Sequence, residues 1–144
     1  MSKFPLTFEV IADATDGASN PWKCSADALE PINMAIPVEF NGPGKAYSPE
    51  DLFGLAVLNC IIAVYKDVCE KNSLNFKKIE GKLIVKMDKV EGNSQVLLTH
   101  LEITFHITGA SDKEKARELL ERAIKMCPVS NSIKSGKTCH ITVE

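Results

Sequence analysis

The chain lacks the marks by which many enzyme classes show themselves in sequence. There is no HExxH, no GxSxG and no phosphate-binding glycine loop. The glycines of FNGPGK, Gly42 and Gly44, are explained as turn formers. There is no CxxC and no other metal-ligand spacing, because the five cysteines stand far apart at 24, 60, 69, 127 and 139. An odd number of dispersed thiols speaks against a disulfide-stapled secreted framework and predicts a cytoplasmic, thiol-bearing protein. Basic charge is not in excess. The formal net charge is −2, which gives no electrostatic footprint for nucleic acid or an anionic membrane. The N-terminal MSKFPLTFEV has no apolar signal core, and no uninterrupted apolar run reaches the ~20 residues that a bilayer demands. At 144 residues, the chain can bury a real core and is read as a single domain, 1–144.

What is present centres on Tyr47 to Cys69, YSPEDLFGLAVLNCIIAVYKDVC. Ser48 reads as an N-cap, Pro49 as the first helical residue, and Glu50 and Asp51 as first-turn acids. Ser48 with Asp51 has the spacing of a capping box. From Leu52 to Tyr65 the only strongly polar side chain is Asn59, accompanied by one thiol, Cys60. A helix that is apolar on every side is expected to be buried on every side. The run covers about 21 Å at helical rise and is bracketed by Asp51 and Lys66, so it is read as the central helix of a soluble domain, ending near Asn72.

Around this helix the pattern is mostly that of strands. Residues 3–12 alternate, with Phe4, Leu6, Phe8 and Val10 on one side. Residues 13–21 form a turn region, and strands are expected over Trp22–Leu29 and Ile32–Val38, each weakened by a proline. After the central helix, Ile79–Lys89 alternates, Glu91-Gly92-Asn93-Ser94 reads as a hairpin turn, and Val96–Thr108 alternates more clearly. In that second strand Leu97, Leu101, Ile103, Phe105 and Ile107 point one way, and His100, Glu102, Thr104 and His106 the other. Ser111 with Glu114 predicts a capped helix to about Met126, striped by Ala116, Leu119, Leu120, Ala123 and Cys127. A last strand over Lys137–Val143 places Cys139, Ile141 and Val143 on one face. The expected class is α+β with mostly antiparallel sheet.

The histidines offer little chemistry in this arrangement. His100 and His106 share a strand face but lie about 20 Å apart along it, too far to share a metal. They and His140 read as parts of a solvated sheet face. Among the thiols, Cys60 and Cys69 are two and a half helical turns apart, on opposite faces and about 13 Å apart in rise, so they cannot bond to each other. Structural roles are the default for Cys24, Cys69 and Cys139. Cys127 follows one helix and precedes Pro128, so it is expected to cap a second short helix whose N-terminal dipole lowers its pKa. Residue chemistry alone leaves open whether Cys60 and Cys127 are a reactive pair or buried filler.

YSPEDLFGLAVLNCIIAVY resembles the first-cysteine motif of the OsmC/Ohr family, the osmotically inducible and organic-hydroperoxide-resistance proteins. In that motif a Pro-Glu pair, a Leu two residues after the Glu and small apolar residues precede the Cys. MCPVSNSIKSGKTCHITVE resembles the second-cysteine motif, Cys-Pro-Val-Ser followed by a final strand. The resemblance covers residues 38–144 well and the first strands loosely. It implies a homodimer of two intertwined subunits, with mostly antiparallel sheets wrapped around central buried helices. It also implies thiol-dependent reduction of hydroperoxides, preferably organic ones, with no cofactor and with an external dithiol as reductant. By position Cys60 matches the peroxide-attacking cysteine, Cys127 the resolving cysteine and Glu50 the active-site carboxylate.

The family's carboxylate normally holds an N-terminal Arg against the thiolate, and here the sequence departs from the pattern. Its only arginines, Arg117 and Arg122, fall on the amphipathic helix, and between Asp13 and Lys45 the only basic residues are Lys23 and Lys45. Attack on peroxide needs a thiolate, and an apolar helix supplies no charge to favour one. Lys23 is the candidate thiolate-stabilising cation, a point charge without the planar fork of Arg. Glu50 lies ten residues before Cys60, about 15 Å along a straight helix. Either a long cation bridges that span, or an antiparallel partner helix brings the other subunit's carboxylate near; taken alone, Glu50 is explained as a helix-dipole acid. The alternative to a peroxidase is a non-catalytic small-molecule binding or interaction protein on the same dimeric fold. The paired cysteines favour the first reading and the absent Arg the second.

Overall fold

The Ser48 capping box forms as its spacing predicts. The Asp51 backbone N–H donates to Ser48 Oγ at 3.1 Å, and the Ser48 N–H donates to Asp51 Oδ2 at 2.9 Å. These bonds satisfy two donors at the start of the central helix α1, Pro49–Lys71. The computed structural model describes residues 4–92 and 94–144. The chain forms two compact units, Met1–Leu52 and Phe53–Glu144.

The first unit is an antiparallel meander of β1 (Val10–Asp13), β2 (Trp22–Ala26) and β3 (Ile32–Met34), followed by a 3₁₀ turn at Val38–Phe40. All three strands are shorter than their sequence patterns suggest. Lys3, the start of the expected first strand, lies outside the described residues. Residues 5–9 are not strand, and Phe4 and Phe8 are 84% and 88% exposed. The ladder stops because β2 stops: Val10 pairs with Ala26, and Asp27 turns the chain at φ 48°, leaving residues before Val10 no strand to pair with. Similarly, β3 ends before Pro37. Beyond Met34 the Ala35 N–H donates to the Tyr47 carbonyl, and the Tyr47 N–H donates to the Asn33 carbonyl.

The second unit holds the main core. β4 (Lys78–Lys89) and β5 (Val96–Thr108) form a long antiparallel hairpin with an irregularity between Lys86 and Met87. Of its expected turn, Asn93 lies outside the described residues; the Val90 N–H donates to the Gln95 carbonyl at 2.8 Å. The chain continues through α2 (Lys113–Met126) and the single turn α3 (Pro128–Asn131) to β6 (Gly136–Val143). β6 lies parallel to β5, a direction that alternation alone cannot reveal, and the sheet order is β4-β5-β6. The architecture is α+β with antiparallel-rich sheets.

One face of this sheet is covered. Val57, Ile61, Tyr65 and Val68 recur at helical spacing along α1 and are buried with Leu101, Ile103, Phe105 and Ile107 of β5 and with Ala116, Leu119, Leu120 and Ala123 of α2. Gly54 allows α1 to approach β4 closely, since a Cβ there would meet Val85 at 2.9 Å and Leu83 at 3.1 Å. Within the single chain α1 is covered on one side, and Leu55, Ala56, Asn59 and Ala63 are exposed. The membrane expectation also needs correction. Counted through its flanking charges, α1 is long and apolar enough to cross a bilayer by length and composition, but its stripe packs on the protein's own sheet. The cap of α2 is Asp112, not Ser111: Asp112 Oδ1 accepts from the Lys115 N–H at 3.1 Å, while Ser111 Oγ accepts from the Asn75 N–H at 3.2 Å.

Candidate functional site

Two thiols meet inside the second unit. Cys60 stands in the fourth turn of α1 and is half-buried. Cys127 ends α2, begins α3 and is 0% exposed. The two thiols interact: Cys60 is among the neighbours that shift the pKa of Cys127. As expected, Cys127 is the N-cap of α3, with Sγ accepting from the Ser130 N–H at 3.3 Å and Pro128 in the first helical position. The expected direction of its pKa is wrong. Burial first, and then the hydrogen bond with Cys60, push the Cys127 thiol up from an ordinary 9.0 to about 11, outweighing the lowering effect of the Ser130 N–H. A helix of one turn supplies too few aligned peptides to offset complete desolvation.

In the turn that presents Cys127, the carbonyls of residues 127–130 each have a donor. The Cys127 carbonyl accepts from the Asn131 N–H, that of Pro128 from Ser132 Oγ, and that of Val129 from the Ser132 N–H. The Ser130 carbonyl accepts from Lys137 Nζ, which reaches across from β6. Asn131 Nδ2 ties the turn back to the end of α2 through the Lys125 carbonyl at 2.9 Å. Lys137 was not anticipated as a site residue; it alternates in register with Cys139, Ile141 and Val143 but is exposed at the start of β6.

Of the other candidates, Glu50 and Lys23 belong to the first unit. Glu50 lies in the first turn of α1, and its Oε2 is shielded from solvent with no hydrogen-bond partner among the described residues. Lys23 is exposed on β2, opposite Asp13 on β1 and Asn33 on β3. Arg117 and Arg122 are exposed on α2. Cys69 is buried beside Tyr65, with its pKa raised by burial, and Tyr65 Oη donates to the Ala116 carbonyl at 3.3 Å. Cys139 is half-buried on the inner face of β6, and burial raises its pKa too. The histidines decorate the sheet's outer face: His100 pairs with Thr138 at 2.8 Å, His140 with Glu102 at 2.6 Å and His106 with Glu144 at 3.3 Å. Among the described residues, no three of His, Cys, Asp and Glu are grouped to hold a metal ion.

A cavity of about 410 Å³ opens in the same unit, lined by Phe53, Leu97, Leu98, Thr99, Ile133, Lys134 and Ser135. Phe53 is seven residues before Cys60, which places it on the same face of α1, about 10 Å away along the axis. The sequence reading missed this cavity because its walls come from three separate elements.

A helix thiol interacting with a capping thiol on an α+β scaffold gives the chain a paired-thiol site. The chain belongs to the OsmC-like protein family, whose model matches residues 42–142. Several solved structures share the fold. An OsmC-like protein of unknown function from Vibrio cholerae superposes with a TM-score of 0.83 at 14% identity, covering 95% of this chain and 99% of that one. An organic hydroperoxide resistance protein OsmC from Legionella pneumophila gives 0.74 at 22% identity, covering 99% of each. The organic hydroperoxide resistance protein OhrB of Bacillus subtilis gives 0.67 at 19% identity, covering 96% of this chain and 98% of that one. No curated protein matches the chain.

Proposed function

We propose that this protein is a thiol-dependent peroxidase that reduces organic hydroperoxides. The observation that carries the reading is the interacting pair of a half-buried Cys60 and a fully buried Cys127 whose pKa is raised. An attacking thiol must be reachable by substrate, whereas a resolving thiol need only reach the attacker; the two exposures fit these roles. In the first step the Cys60 thiolate attacks the distal peroxide oxygen, the O–O bond breaks, and the alkoxide leaves to take a proton and become an alcohol. Cys60 is now a sulfenic acid. Cys127 sulfur then attacks the Cys60 sulfur, the S–O bond breaks, and the oxygen leaves as water with the Cys127 proton. The resulting Cys60–Cys127 disulfide is reduced by an external dithiol. The apolar cavity near Phe53 suits the organic group of such a substrate, and the names of the Legionella and Bacillus relatives are in keeping with it.

The reading assigns Glu50 as the active-site carboxylate and Lys23 as the cation that favours the thiolate. It takes residues 1–144 as one working domain, a cytoplasmic setting that keeps the thiols reduced, and a homodimer. The exposed stripe of Leu55, Ala56, Asn59 and Ala63 on α1 supports the dimer, because an apolar helix face calls for cover. A second reading, a non-catalytic binding protein on the same fold, draws on the unpartnered Oε2 of Glu50 and on the exposure of both arginines. Thiol counting separates the two. A peroxidase loses two thiols per chain within seconds of adding an organic hydroperoxide at neutral pH, with peptide mapping to Cys60 and Cys127. Retention of all five thiols overturns the peroxidase reading.

A further inference from the structure

Among the described residues, Lys137 is the side chain that fastens the Cys127 turn from a strand. It sits on the inward-facing side of β6, two residues before Cys139, and its ammonium donates to the carbonyl of Ser130. Ser130 is itself buried and supplies the N–H that Cys127 Sγ accepts. Without Lys137, the carbonyl of buried Ser130 loses this donor, and among the described residues the side-chain bonds left to α3 are those of Cys127, Asn131 and Ser132. Disulfide closure demands a separation near 2.05 Å and a restricted dihedral between two sulfurs. A one-turn helix left loose spends less of its time in that geometry.

We propose that Lys137 is a positioning residue for Cys127, holding the α3 turn so that the resolving thiol stays in place to close the disulfide with Cys60. This rests on the peroxidase reading, since it refines the second step of that reaction: Cys60 sulfenic acid and Cys127 thiol give the disulfide and water. Lys137 touches neither sulfur and acts through Ser130.

The test compares the native chain with Lys137→Met and Lys137→Arg. The first readout needs no peroxide: the Cys60–Cys127 dithiol is equilibrated in mixtures of reduced and oxidised dithiothreitol. Lys137→Met is expected to shift the equilibrium about tenfold toward the dithiol, the worth of one hydrogen bond from a charged donor. Lys137→Arg, which keeps a charged donor, is expected to recover most of the shift. In the second readout, an organic hydroperoxide is added with dimedone present. Lys137→Met should yield more trapped Cys60 sulfenic acid per disulfide formed than the native chain. Should Lys137→Met not fold, Lys137→Gln is read by the same titration. Equal equilibria in all chains, or no recovery with Arg, overturns the role. A native chain that forms the disulfide in dithiothreitol but not with hydroperoxide refutes the peroxidase reading, and the titration still decides Lys137.

Discussion

Cys127 should make the folded chain sensitive to alkali. Its thiol has an ordinary value of 9.0 and is pushed up to about 11 by burial and by the hydrogen bond with Cys60. Below pH 9 the proton is bound in both folded and unfolded chains, and the stabilising contribution is complete. As the pH rises from 9 toward 11, the unfolded chain releases the proton while the folded one keeps it. The unfolded state then binds fewer protons, so stability falls with rising pH. Two pH units amount to a loss of roughly 2–3 kcal/mol at the top of that window. Cys69, Cys139 and Tyr65 are raised by burial as well, so the informative quantity is a difference. Urea unfolding of the reduced native chain and of Cys127→Ala, followed across the same pH window, isolates it. The cavity left by Cys127→Ala costs the same at every pH, whereas the native advantage should shrink by that amount on the alkaline side. A native advantage independent of pH would refute the assignment of a buried, protonated Cys127.

Three further outcomes follow from the same geometry. Cys60→Ser should abolish hydroperoxide consumption, while Cys69→Ser and Cys139→Ser should leave it nearly intact; equal losses from all three would sink the site. Analytical sedimentation at micromolar concentration should give a dimer, because the exposed stripe of α1 lacks cover in a single chain; a stable folded monomer counts against this. Asp112→Ala should cost ~1 kcal/mol in urea unfolding as an N-cap loss, and more than Ser111→Ala, whose hydroxyl serves Asn75 instead.

The sequence was most readable where local pattern and tertiary need coincide. The Ser48–Asp51 box, the alternation from Leu101 to Ile107 and the stripe of α2 each state their own burial, and the structure follows them. It was least readable where a distant partner decides. β1 is short because β2 ends at Ala26, a fact residues 3–9 do not contain. Ser111 and Asp112 are equally good caps in isolation, and the choice is made by Asn75, thirty-six residues away in sequence. Alternation in β6 assigns its faces but not its direction along β5. At the candidate site, motif position named Cys60 and Cys127, and these two thiols interact. The direction of the Cys127 pKa was missed because a local dipole was weighed without the burial that tertiary packing imposes.

The missing arginine is the point at which the proposed chemistry is most exposed to test. Peroxide attack needs the thiolate of Cys60, and Cys127 contributes a proton to the pair rather than a positive charge. A nearby cation would supply the charge, and Glu50 Oε2 is shielded from solvent with no hydrogen-bond partner among the described residues. Lys23 is the candidate. If it fills the role, Lys23→Met should slow peroxide attack at neutral pH and move the pH profile of Cys60 alkylation upward, because an opposite charge within a few ångströms favours the thiolate. Higher pH should then restore much of the rate, since hydroxide removes the proton without help. Lys23→Arg should hold or raise the rate, as Arg keeps the charge and adds a second aligned donor for a carboxylate. Lys45→Met serves as the control: Lys45 belongs to the loop before the Ser48 cap, at φ 59°, where a solvated charge is expected. If Lys23→Met leaves both the rate and the alkylation profile where they were, Lys23 is not the cation. If the native Cys60 then also alkylates only at the pH of an ordinary thiol, about 8.5, the chain has paired thiols without an activated nucleophile, and the binding protein becomes the better account.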